Sequence, residues 1–406
     1  MIEFTKPLPE INIGIVGHVD HGKTTLTERL TGKWTDTHSE EIKRGITIRL
    51  GYADVTFYYC EKCRSHCNAE KCKKCFGECA PKRTVSIIDA PGHETLMATV
   101  LSGTALMNGA VMLIAANEKC PQPQTAEHLK ALDVAGVKHI VIVQNKIDLV
   151  SEERAKQHYE EIRNFVKGTV AENAPIIPIS AIHDVNIDFL IEAIDRTIPT
   201  PKRDSSMKPR FFIARSFDVN KPGTEIKKLK GGIIGGSVIR GVFKKGDSIE
   251  ISPGAIVNGK WETLKTKIDE IVQSSQNLDE AKHGGLASIA TMLDPSITKS
   301  DGLAGHVAGL EGELPESRSG IKIKPKLFDY VVGISGQQKV QPIKTGDALM
   351  LTAGIAKTVA SVSSAQADTA ELKLKIPICA EKSDRVAISK QVGGRWHLIG
   401  VGEIVG

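Results

Sequence analysis

Residues 11–31 read INIGIVGHVDHGKTTLTERLT, and they predict how the first half of the chain folds. A β-branched run ends at Gly17, where the pattern G-x-x-x-x-G-K-T begins, and a helical pattern follows directly. In such loops glycines let backbone N–H groups surround phosphate oxygens, lysine neutralises the β and γ charges, and the final hydroxyl ligates Mg²⁺. The alternative is a glycine-rich turn, but the flanking strand and helix favour a phosphate site. The predicted nucleotide contacts here are Gly17, Asp20, His21, Gly22, Lys23, Thr24 and Thr25.

The alternation of strand and helix patterns continues to Thr197. TVSIIDA, AVMLIAA, HIVIVQNK and APIIPIS are short β-branched runs, each followed by a stretch long enough for a helix. This alternation is typical of an α/β domain with a mostly parallel sheet and helices on both faces. Ligands of such sheets bind at the carboxyl ends of the strands, so further contacts are expected in the loops there.

Proline-rich and polar residues end this alternation at Ile198, in the stretch IPTPKRDSSMKP. From Arg210 onward, short β-type runs such as FFIARSFDV, GSVIRGVF, DSIEIS and ASIATML alternate with Gly, Pro and Asp turns. This pattern predicts small antiparallel β-barrels. A second break, ELPESRSGIKIKPK at 313–326, divides this half again. The predicted domains are residues 1–200, 207–320 and 321–406, with an insertion at 58–81 in the first.

A second motif, Asp89-Ala-Pro-Gly92-His93, follows the strand run TVSII. An aspartate at a strand end can hold the water shell of a magnesium ion, and the N–H of Gly92 can meet a γ-phosphate. Loss of that phosphate would then free the loop. The alternative interpretation is a proline turn with a capping aspartate, which the phosphate loop upstream disfavours.

The motif Asn145-Lys146-Ile147-Asp148 ends the strand run HIVIVQ. A carboxylate there can accept hydrogen bonds from N1–H and from the exocyclic amine of guanine, whereas adenine offers neither donor. The site is therefore predicted to take GTP rather than ATP. Residues 180–182, after APIIPI, would close over the base, with Lys146 stacked on it. The predicted contacts to the base are Asn145, Lys146, Asp148, Ser180, Ala181 and Ile182.

The segment Arg44-Gly45-Ile46-Thr47-Ile48 lies between the first helical pattern and the next strand. A mobile loop at this place could bring the Thr47 hydroxyl to Mg²⁺ only while a γ-phosphate is present, which would make it an order-to-disorder switch. By itself the segment would pass for an ordinary strand edge. The predicted magnesium residues are Thr24, Thr47 and, through water, Asp89.

Six of the eight cysteines lie between residues 60 and 79, where two C-x-x-C pairs are separated by eight residues. In a cytosolic chain such a cluster indicates a metal rather than disulfides, and four thiolates suit a structural zinc. The predicted zinc ligands are Cys60, Cys63, Cys72 and Cys75. Cys67, Cys79 and His66 leave open a different ligand set or a second metal, and the last alternative is that no metal binds. Because no open coordination position is implied, a catalytic zinc is not expected.

The composition is that of an ordered globular protein, since 41% of the 406 residues are apolar and 25% are charged. The net charge of +5, from 53 basic and 48 acidic residues, permits a nucleic-acid partner without establishing one. The sequence has no apolar run of the roughly 18 residues that a membrane helix needs, and its N-terminus lacks a signal-peptide pattern. A cytoplasmic protein without a membrane partner is therefore expected.

Together GHVDHGKTT, RGITI, DAPGH, NKID and SA resemble the motifs of the translational GTPases, and the resemblance covers essentially the whole chain. It implies an α/β P-loop GTPase domain followed by two antiparallel β-barrel domains. Further long stretches are similar to the gamma subunits of archaeal initiation factor 2 rather than to elongation factors. They are RGITIRLGYAD at 44–54, the cysteine insertion, residues 291–309 and residues 391–404.

This resemblance implies a GTPase that carries methionylated initiator tRNA to the small ribosomal subunit and releases it on GTP hydrolysis. Alpha and beta subunits would complete a heterotrimer, and mRNA is a further candidate partner. The implied cofactors are GTP or GDP, Mg²⁺ and Zn²⁺. His93 stands where the family places the residue that orients the attacking water. Asp20 and the Gly45 carbonyl match positions associated with a second magnesium.

Two alternative functions remain open from the sequence. One is an elongation-factor-type GTPase, including the selenocysteinyl type, that delivers other aminoacyl-tRNAs. The other is a zinc-bearing RNA-binding scaffold whose assembly the nucleotide regulates. No arginine is evidently committed to the phosphates, so hydrolysis is expected to be slow until a partner or the ribosome stimulates it.

Overall fold

A seven-stranded mixed sheet forms the core of the first of two units in this computed structural model, which describes residues 7–35, 47, 49–202, 204–334 and 338–406. This unit comprises Met1–Pro201 with Val332–Gln337. Its strands are β1 (Asn12–Gly17), β2 (Gly51–Cys60), β3 (Ser65–Cys67), β4 (Ala80–Asp89), β5 (Gly109–Ala115), β6 (Ile140–Asn145) and β7 (Ile176–Pro178). Their order is β3-β2-β4-β1-β5-β6-β7. Strands β1, β4, β5, β6 and β7 run parallel, whereas β2 and β3 are antiparallel to their neighbours.

Helices pack against this sheet and bury it. They are α1 (Lys23–Thr31), α2 (Met97–Thr104), α3 (Pro123–Ala135), α4 (Glu152–Val166) and α5 (Ile187–Thr197), with short 3-10 turns at Glu94–Leu96 and Ile147–Leu149. Every residue of β1, β5 and β6 is buried, as expected for strands that are covered on both faces. Leu26 of α1 and Leu190 of α5 belong to one cluster with alternate residues of these strands. In the part of the chain described, no helix combines the length and apolarity that crossing a bilayer requires.

The second unit, Lys202–Val331 with Gln338–Gly406, begins with a six-stranded antiparallel barrel. The strands of this region, six of which form the barrel, are β8 (Arg210–Phe217), β9 (Ile233–Arg240), β10 (Val242–Lys244), β11 (Ser248–Val257), β12 (Lys260–Gln273), β13 (Gln276–Leu278), β14 (Glu280–Lys282), β15 (Ala287–Thr291) and β16 (Val307–Leu310). The ring runs β11-β16-β8-β9-β15-β12 and closes where β12 pairs with β11. Phe211, Phe243 and Ile249 are fully buried in its core. A short helix, α6 (Pro295–Thr298), and 3-10 turns at Ile226–Lys228 and Lys299–Asp301 lie in its connections.

A second closed barrel completes this unit. Its strands are β17 (Ser317–Leu327), β18 (Ala348–Ala353), β19 (Ala356–Ala365), β20 (Ala370–Cys379), β21 (Arg385–Val392) and β22 (Arg395–Ile404). They close in the order β17-β20-β19-β18-β21-β22. Buried and exposed residues alternate along much of β19 and β20, the pattern expected of barrel strands with one face in the core and one in solvent.

The predicted fold class is confirmed: a mostly parallel α/β domain is followed by two antiparallel barrels. The stretch 313–326, which the sequence indicates as a break, instead contains most of strand β17. Its polar composition is typical of a linker, but Ile321 and Ile323 point into the core while Lys322 and Lys324 do not. The alternation of apolar and polar residues with a period of two therefore makes this stretch a strand, despite its turn-forming residues.

Candidate nucleotide site and cysteine cluster

A cavity of about 470 Å³ opens at the carboxyl ends of the strands in the first unit, within the ~300–1,000 Å³ range of small-molecule sites. The loops after β1, β4, β6 and β7 line it, which is where an α/β sheet holds its ligands. The predicted residues that line it are Asp20, Gly22, Lys23, Thr24, Thr25, Thr47, Gly92, His93, Asn145, Lys146, Asp148, Ser180, Ala181 and Ile182. Val19, an unspecified position inside the phosphate-loop motif, and Trp34, which lies outside every motif, line it as well.

Three other predicted residues lie behind this lining. Gly17, His21 and Asp89 are buried and are not among the residues that form the cavity wall. Their backbone and side-chain contacts instead hold the loops that do form it. Gly45, the remaining predicted residue, lies outside the described part of the chain.

Glycines let the phosphate loop of residues 17–24 approach its neighbours closely. Gly22 has a φ of 90°, and a Cβ there would lie 2.5 Å from Nδ2 of Asn145. A Cβ on Gly92 would overlap Nζ of Lys23, so a side chain at this position would displace the ammonium group. Lys23 is only 6% exposed, and its Nζ donates to His18 O at 2.7 Å. The ammonium group is therefore held inside the loop.

Oxygen atoms converge beside the phosphate loop. Thr24 Oγ1 donates to Asp89 Oδ2 at 2.9 Å and lies 3.1 Å from Thr47 Oγ1. Thr35 Oγ1 donates to the same carboxylate oxygen at 2.8 Å, a contact that the sequence reasoning missed. Asp89 is fully buried. Hydroxyl and carboxylate oxygens are the donors that Mg²⁺ prefers, so this set fits a magnesium ion.

Asn145 connects the phosphate loop with the segment expected to cover the base. Its Nδ2 donates to His21 O at 2.8 Å, and its Oδ1 accepts from the Ala181 N–H at 3.1 Å. Lys146, with a φ of 61°, begins the 3-10 turn that carries Asp148. The Asp148 side chain is 23% exposed and lines the cavity. One end of the cavity therefore offers the Asp148 carboxylate as an acceptor. It lies beside residues 180–182, which Asn145 holds in place.

Two buried histidines support the phosphate loop without adding charge. His128 Nδ1 accepts from the Gly17 N–H at 2.8 Å, and burial lowers the pKa of His128 to about 3. His21 Nδ1 lies 2.9 Å from Leu113 O, and burial lowers the pKa of His21 to about 4. Accepting from an N–H requires an unprotonated Nδ1 in His128, and burial favours the neutral form of His21 although Glu118 Oε2 lies 3.4 Å from its Nε2. His128 is 111 positions from Gly17, so no local motif could have indicated this contact.

His93 stands at the edge of the cavity. Its Nδ1 lies 2.9 Å from Thr95 Oγ1 and accepts from the Thr95 N–H at 3.4 Å. The ring is half-buried and forms part of the cavity wall. An imidazole in this position can hydrogen-bond to a water molecule in the cavity.

The cysteine cluster brings four sulfur atoms together. They belong to Cys60, Cys63, Cys72 and Cys75 and all lie within 4.8 Å of one another. Cys60 and Cys75 are 3.4 Å apart at Sγ, and Cys63 and Cys72 are 3.3 Å apart. Tetrahedral zinc with Zn–S bonds of about 2.3 Å needs sulfurs about 3.8 Å apart, so this donor set fits with small shifts.

Backbone groups of the two C-x-x-C loops favour thiolates in this cluster. The N–H of Cys63 lowers the pKa of the Cys60 thiol. The N–H of Cys75 lowers the pKa of the Cys72 thiol to about 6. The Gly77 N–H lowers the pKa of the Cys75 thiol, but hydrogen bonding to Cys60 and burial raise it overall to about 12. The backbone therefore favours the thiolate, which is the form that metal ions bind, at Cys60 and Cys72.

Cys67 and Cys79 form a separate buried pair. Their Sγ atoms are 3.2 Å apart, and Cys67 Sγ also donates to Ala69 O at 3.3 Å. Burial raises the pKa of the Cys79 thiol. His66 Nε2 lies 3.6 Å from Asp195 Oδ2. Among the residues described, none of these three side chains belongs to the four-sulfur group.

The fold and the cavity together define a P-loop GTP-binding domain joined to two β-barrels. Residues 8–200 match the family described as "Elongation factor Tu GTP binding domain". Residues 319–404 match the family described as "Initiation factor eIF2 gamma, C terminal". The two matches lie at opposite ends of the chain and both belong to translation factors.

Relatives named "Translation initiation factor 2 subunit gamma" match along the whole chain. The protein of Methanocaldococcus jannaschii is 57% identical over 401 residues, which is 98% of either chain. That of Archaeoglobus fulgidus is 56% identical over 402 residues, 98% of this chain and 95% of the relative. The chain therefore belongs to the family of archaeal translation initiation factor 2 gamma subunits. It is a GTPase of translation initiation that uses GTP, GDP and Mg²⁺.

Solved structures of elongation factors share this fold. A bacterial selenocysteine-specific elongation factor, EF-Sec, has a TM-score of 0.74 at 24% identity, over 97% of this chain and 58% of that chain. Elongation factor SelB of Methanococcus maripaludis, in complex with the GTP analogue GppNHp, has a TM-score of 0.73 at 22% identity. The match covers 99% of this chain and 80% of that chain. At these identities the likeness concerns the fold alone.

Proposed function

We propose that this protein carries methionylated initiator tRNA to the small ribosomal subunit while GTP is bound and releases it after hydrolysis. The observation that carries the proposal is one cavity that gathers the guanine-nucleotide motifs in a chain 57% identical to initiation factor 2 gamma subunits. GTP and GDP differ in the γ-phosphate, so the segments around that phosphate would transmit the nucleotide state to the tRNA site.

The nucleotide would lie with its phosphates in the loop of residues 17–24 and its base against Asp148. Lys23 would neutralise the β and γ charges, while the Gly92 N–H and Thr47 would meet the γ-phosphate. Asn145 would hold the two ends of the site together through its hydrogen bonds with His21 and Ala181. Lys146 would stack on the base.

Magnesium would be held by the Thr24 and Thr47 hydroxyls and, through water, by Asp89. The contacts of 2.9 and 3.1 Å among these oxygens support this assignment. Asp20, together with the Gly45 carbonyl, is the proposed place of a second magnesium. The ion supplies positive charge beside the β- and γ-phosphates.

Hydrolysis would depend on His93, which would place a water molecule in line with the γ-phosphate. Among the described residues that line the cavity there is no arginine. Its lysines are Lys23 in the phosphate loop and Lys146 in the NKID motif. We therefore propose slow intrinsic hydrolysis that a partner or the ribosome stimulates.

A structural zinc on Cys60, Cys63, Cys72 and Cys75 is also proposed. The four sulfur atoms within 4.8 Å of one another support it. When bound, zinc would cross-link the loop that follows β2 to the turn that precedes β4. A small insertion with little apolar core gains stability from such a cross-link.

The zinc proposal predicts different results for two Cys→Ser variants. Cys72→Ser removes one of the four ligands, so we expect the purified protein to lose most of its zinc and to unfold at a lower temperature. Cys67→Ser, which alters a buried thiol outside the set, is the matched control and is expected to keep about one zinc per chain. Elemental analysis by mass spectrometry measures the metal, and equal loss from both variants would contradict the ligand assignment.

Partners and location follow from the same proposal. Alpha and beta subunits would complete a heterotrimer, the small ribosomal subunit would receive the tRNA, and mRNA is a further candidate partner. The protein would act in the cytoplasm. Its domains would be residues 1–200, 207–320 and 321–406. Strand β17, which begins at Ser317, crosses the last of these boundaries.

Affinity for methionylated initiator tRNA tests the proposed function. We expect tighter binding with a GTP analogue than with GDP, and tighter binding of initiator than of elongator methionyl-tRNA. The measurement is equilibrium filter binding with the purified chain, alone and with its proposed alpha subunit. Because nonspecific charge contacts weaken steeply with salt, the series is repeated at several salt concentrations.

Each alternative function has its own outcome in this experiment. Equal binding of elongator tRNA would support an elongation-factor-type GTPase. Binding that ignores the nucleotide would support an RNA-binding scaffold. Either result would overturn the proposed carrier function.

A further inference from the structure

The insertion at residues 58–81, here named the cysteine module, contacts the end of helix α1. Asn68 in this module donates from Nδ2 to Arg29 O at 2.8 Å and to Leu30 O at 3.0 Å. These carbonyls belong to the last turn of α1, where backbone acceptors lack partners within the helix. A single side chain of the cysteine module therefore caps the helix whose first turn forms part of the phosphate loop.

Arg29 extends this contact to residues 180–182, here named the base loop. Its Nε donates to Ala181 O at 3.0 Å, and its Nη2 donates to Ile182 O at 2.8 Å. A planar guanidinium can satisfy both carbonyls at once, which a single ammonium does less well. The Ala181 N–H meanwhile donates to Asn145. The base loop is thus held on one side by the NKID motif and on the other by Arg29.

Ion pairs place the cysteine module against the residues that follow the base loop. Lys73 Nζ lies 2.6 Å from Asp184 Oδ2, and Arg29 Nε lies 4.0 Å from Asp184 Oδ1. Lys74 Nζ lies 2.6 Å from Asp188 Oδ2, in the first turn of α5. Both lysines are more than half exposed, so each pair alone contributes little. The hydrogen bonds of Asn68 and Arg29 are therefore the main link.

We propose that Asn68 and Arg29 form a relay through which the cysteine module positions the base loop and slows the dissociation of nucleotide. Arg29 is a positioning residue, since it contacts backbone carbonyls of the loop. The inference rests on the proposed guanine site, because the position of the loop matters only if the loop covers the base. Without the relay, the loop loses donors to two carbonyls and opens more readily.

Substitution of Arg29 is the first test. Arg29→Ala is expected to raise the dissociation rate constant of mant-GDP about tenfold with little change in the association rate constant, since ordering hydrogen bonds are lost. Arg29→Lys keeps the charge and one donor, so it should give an intermediate rate. Arg196→Ala is the matched control, because Arg196 pairs with Glu192 on the exposed surface of α5. Stopped-flow fluorescence measures both rate constants.

A second readout separates positioning from a general loss of stability. The base loop acts on the base, so Arg29→Ala should lower the affinity for GTP. The weak binding of ATP depends mainly on its phosphates and should stay unchanged. General destabilisation would weaken the binding of both nucleotides together. An unchanged dissociation rate in Arg29→Ala, or a parallel loss for GTP and ATP, would overturn the relay.

The order of the relay is tested with Asn68→Ala and with the double variant. Asn68→Ala acts only through α1 and Arg29, so its effect should be smaller than that of Arg29→Ala. Residues that act in series are not additive, so the double variant should match Arg29→Ala alone. If the increases in the dissociation rate constant from the two single substitutions multiplied in the double variant, Asn68 and Arg29 would act independently. That result would overturn the relay.

Asp148→Asn, measured in parallel, distinguishes a wrong base site from a wrong relay. If Asp148→Asn leaves the preference for GTP over ATP unchanged, the proposed base site is wrong and the relay falls with it. If Asp148→Asn lowers that preference but Arg29→Ala changes no rate, the base site stands and only the relay is wrong.

Discussion

Replacing Asp148 with asparagine is expected to lower the affinity for GTP by about 10²–10³, because one hydrogen bond to a charged acceptor, worth about 1.5–3 kcal/mol, is lost and the other falls to the roughly 0.5–1.5 kcal/mol of a neutral acceptor. The asparagine amide keeps one acceptor oxygen, and its NH₂ group faces the exocyclic amine of guanine. Xanthine carries an oxygen in place of that amine and would accept from the NH₂ group. The variant should therefore gain affinity for XTP as it loses affinity for GTP.

Equilibrium binding of GTP, XTP and ATP to the variant measures this change. Asp133→Asn is the matched control, because Asp133 pairs with Lys130 on the exposed face of α3. We expect the control to bind all three nucleotides like the unaltered protein. An Asp148→Asn protein that still prefers GTP as before would show that another group reads the base.

Local motifs predict most of the residues that the structure brings together in one cavity. The phosphate loop, DAPGH, NKID and the base loop are each short, and each follows a strand whose carboxyl end is on one side of the sheet. Parallel strands place those ends together, so motifs far apart in sequence meet in one cavity. The structure places fourteen of the predicted residues in the lining of that cavity.

Contacts between distant residues could not be predicted in the same way. Arg29 reaches the base loop across 152 positions, and nothing in the sequence around Arg29 distinguishes it from a surface residue of a helix. The contact of Thr35 with Asp89 spans 54 positions. Such pairs depend on how elements pack, which single-sequence patterns do not report.

Strand β11 shows a related limit in the barrels. The run DSIEIS, residues 247–252, predicts a strand that stops before Pro253-Gly254, but β11 continues to Val257. The pairing of β11 with β12 shifts register between Ile251 and Ala255, so the proline lies in an irregular stretch where it removes no regular ladder bond. Gly254, with a φ of 88°, has no room for a Cβ against Glu262 O. The turn-forming residues Pro253 and Gly254 therefore mark a β-bulge within β11 and not its end.

Replacing His93 with alanine is expected to lower stimulated GTP hydrolysis by about 10²–10⁴, the contribution of a positioned side chain that orders or deprotonates the attacking group. His93 lies at the cavity edge next to Gly92, while the phosphate loop and the base contacts lie elsewhere in the lining. Affinities for GTP and GDP should therefore change little. Single-turnover hydrolysis with small ribosomal subunits and initiator tRNA measures the chemical step, and nucleotide binding is measured separately.

Further variants determine what the His93 ring does. His93→Gln can still hydrogen-bond to water, so partial activity in it would favour orientation of water over proton transfer. His139→Ala changes an exposed histidine of the same unit and is the matched control. A His93→Ala protein that hydrolyses GTP at the unaltered rate would exclude the ring from the reaction. A loss of nucleotide affinity equal to the loss of rate would instead mean that His93 acts through binding, because only an interaction made in the transition state lowers the rate alone.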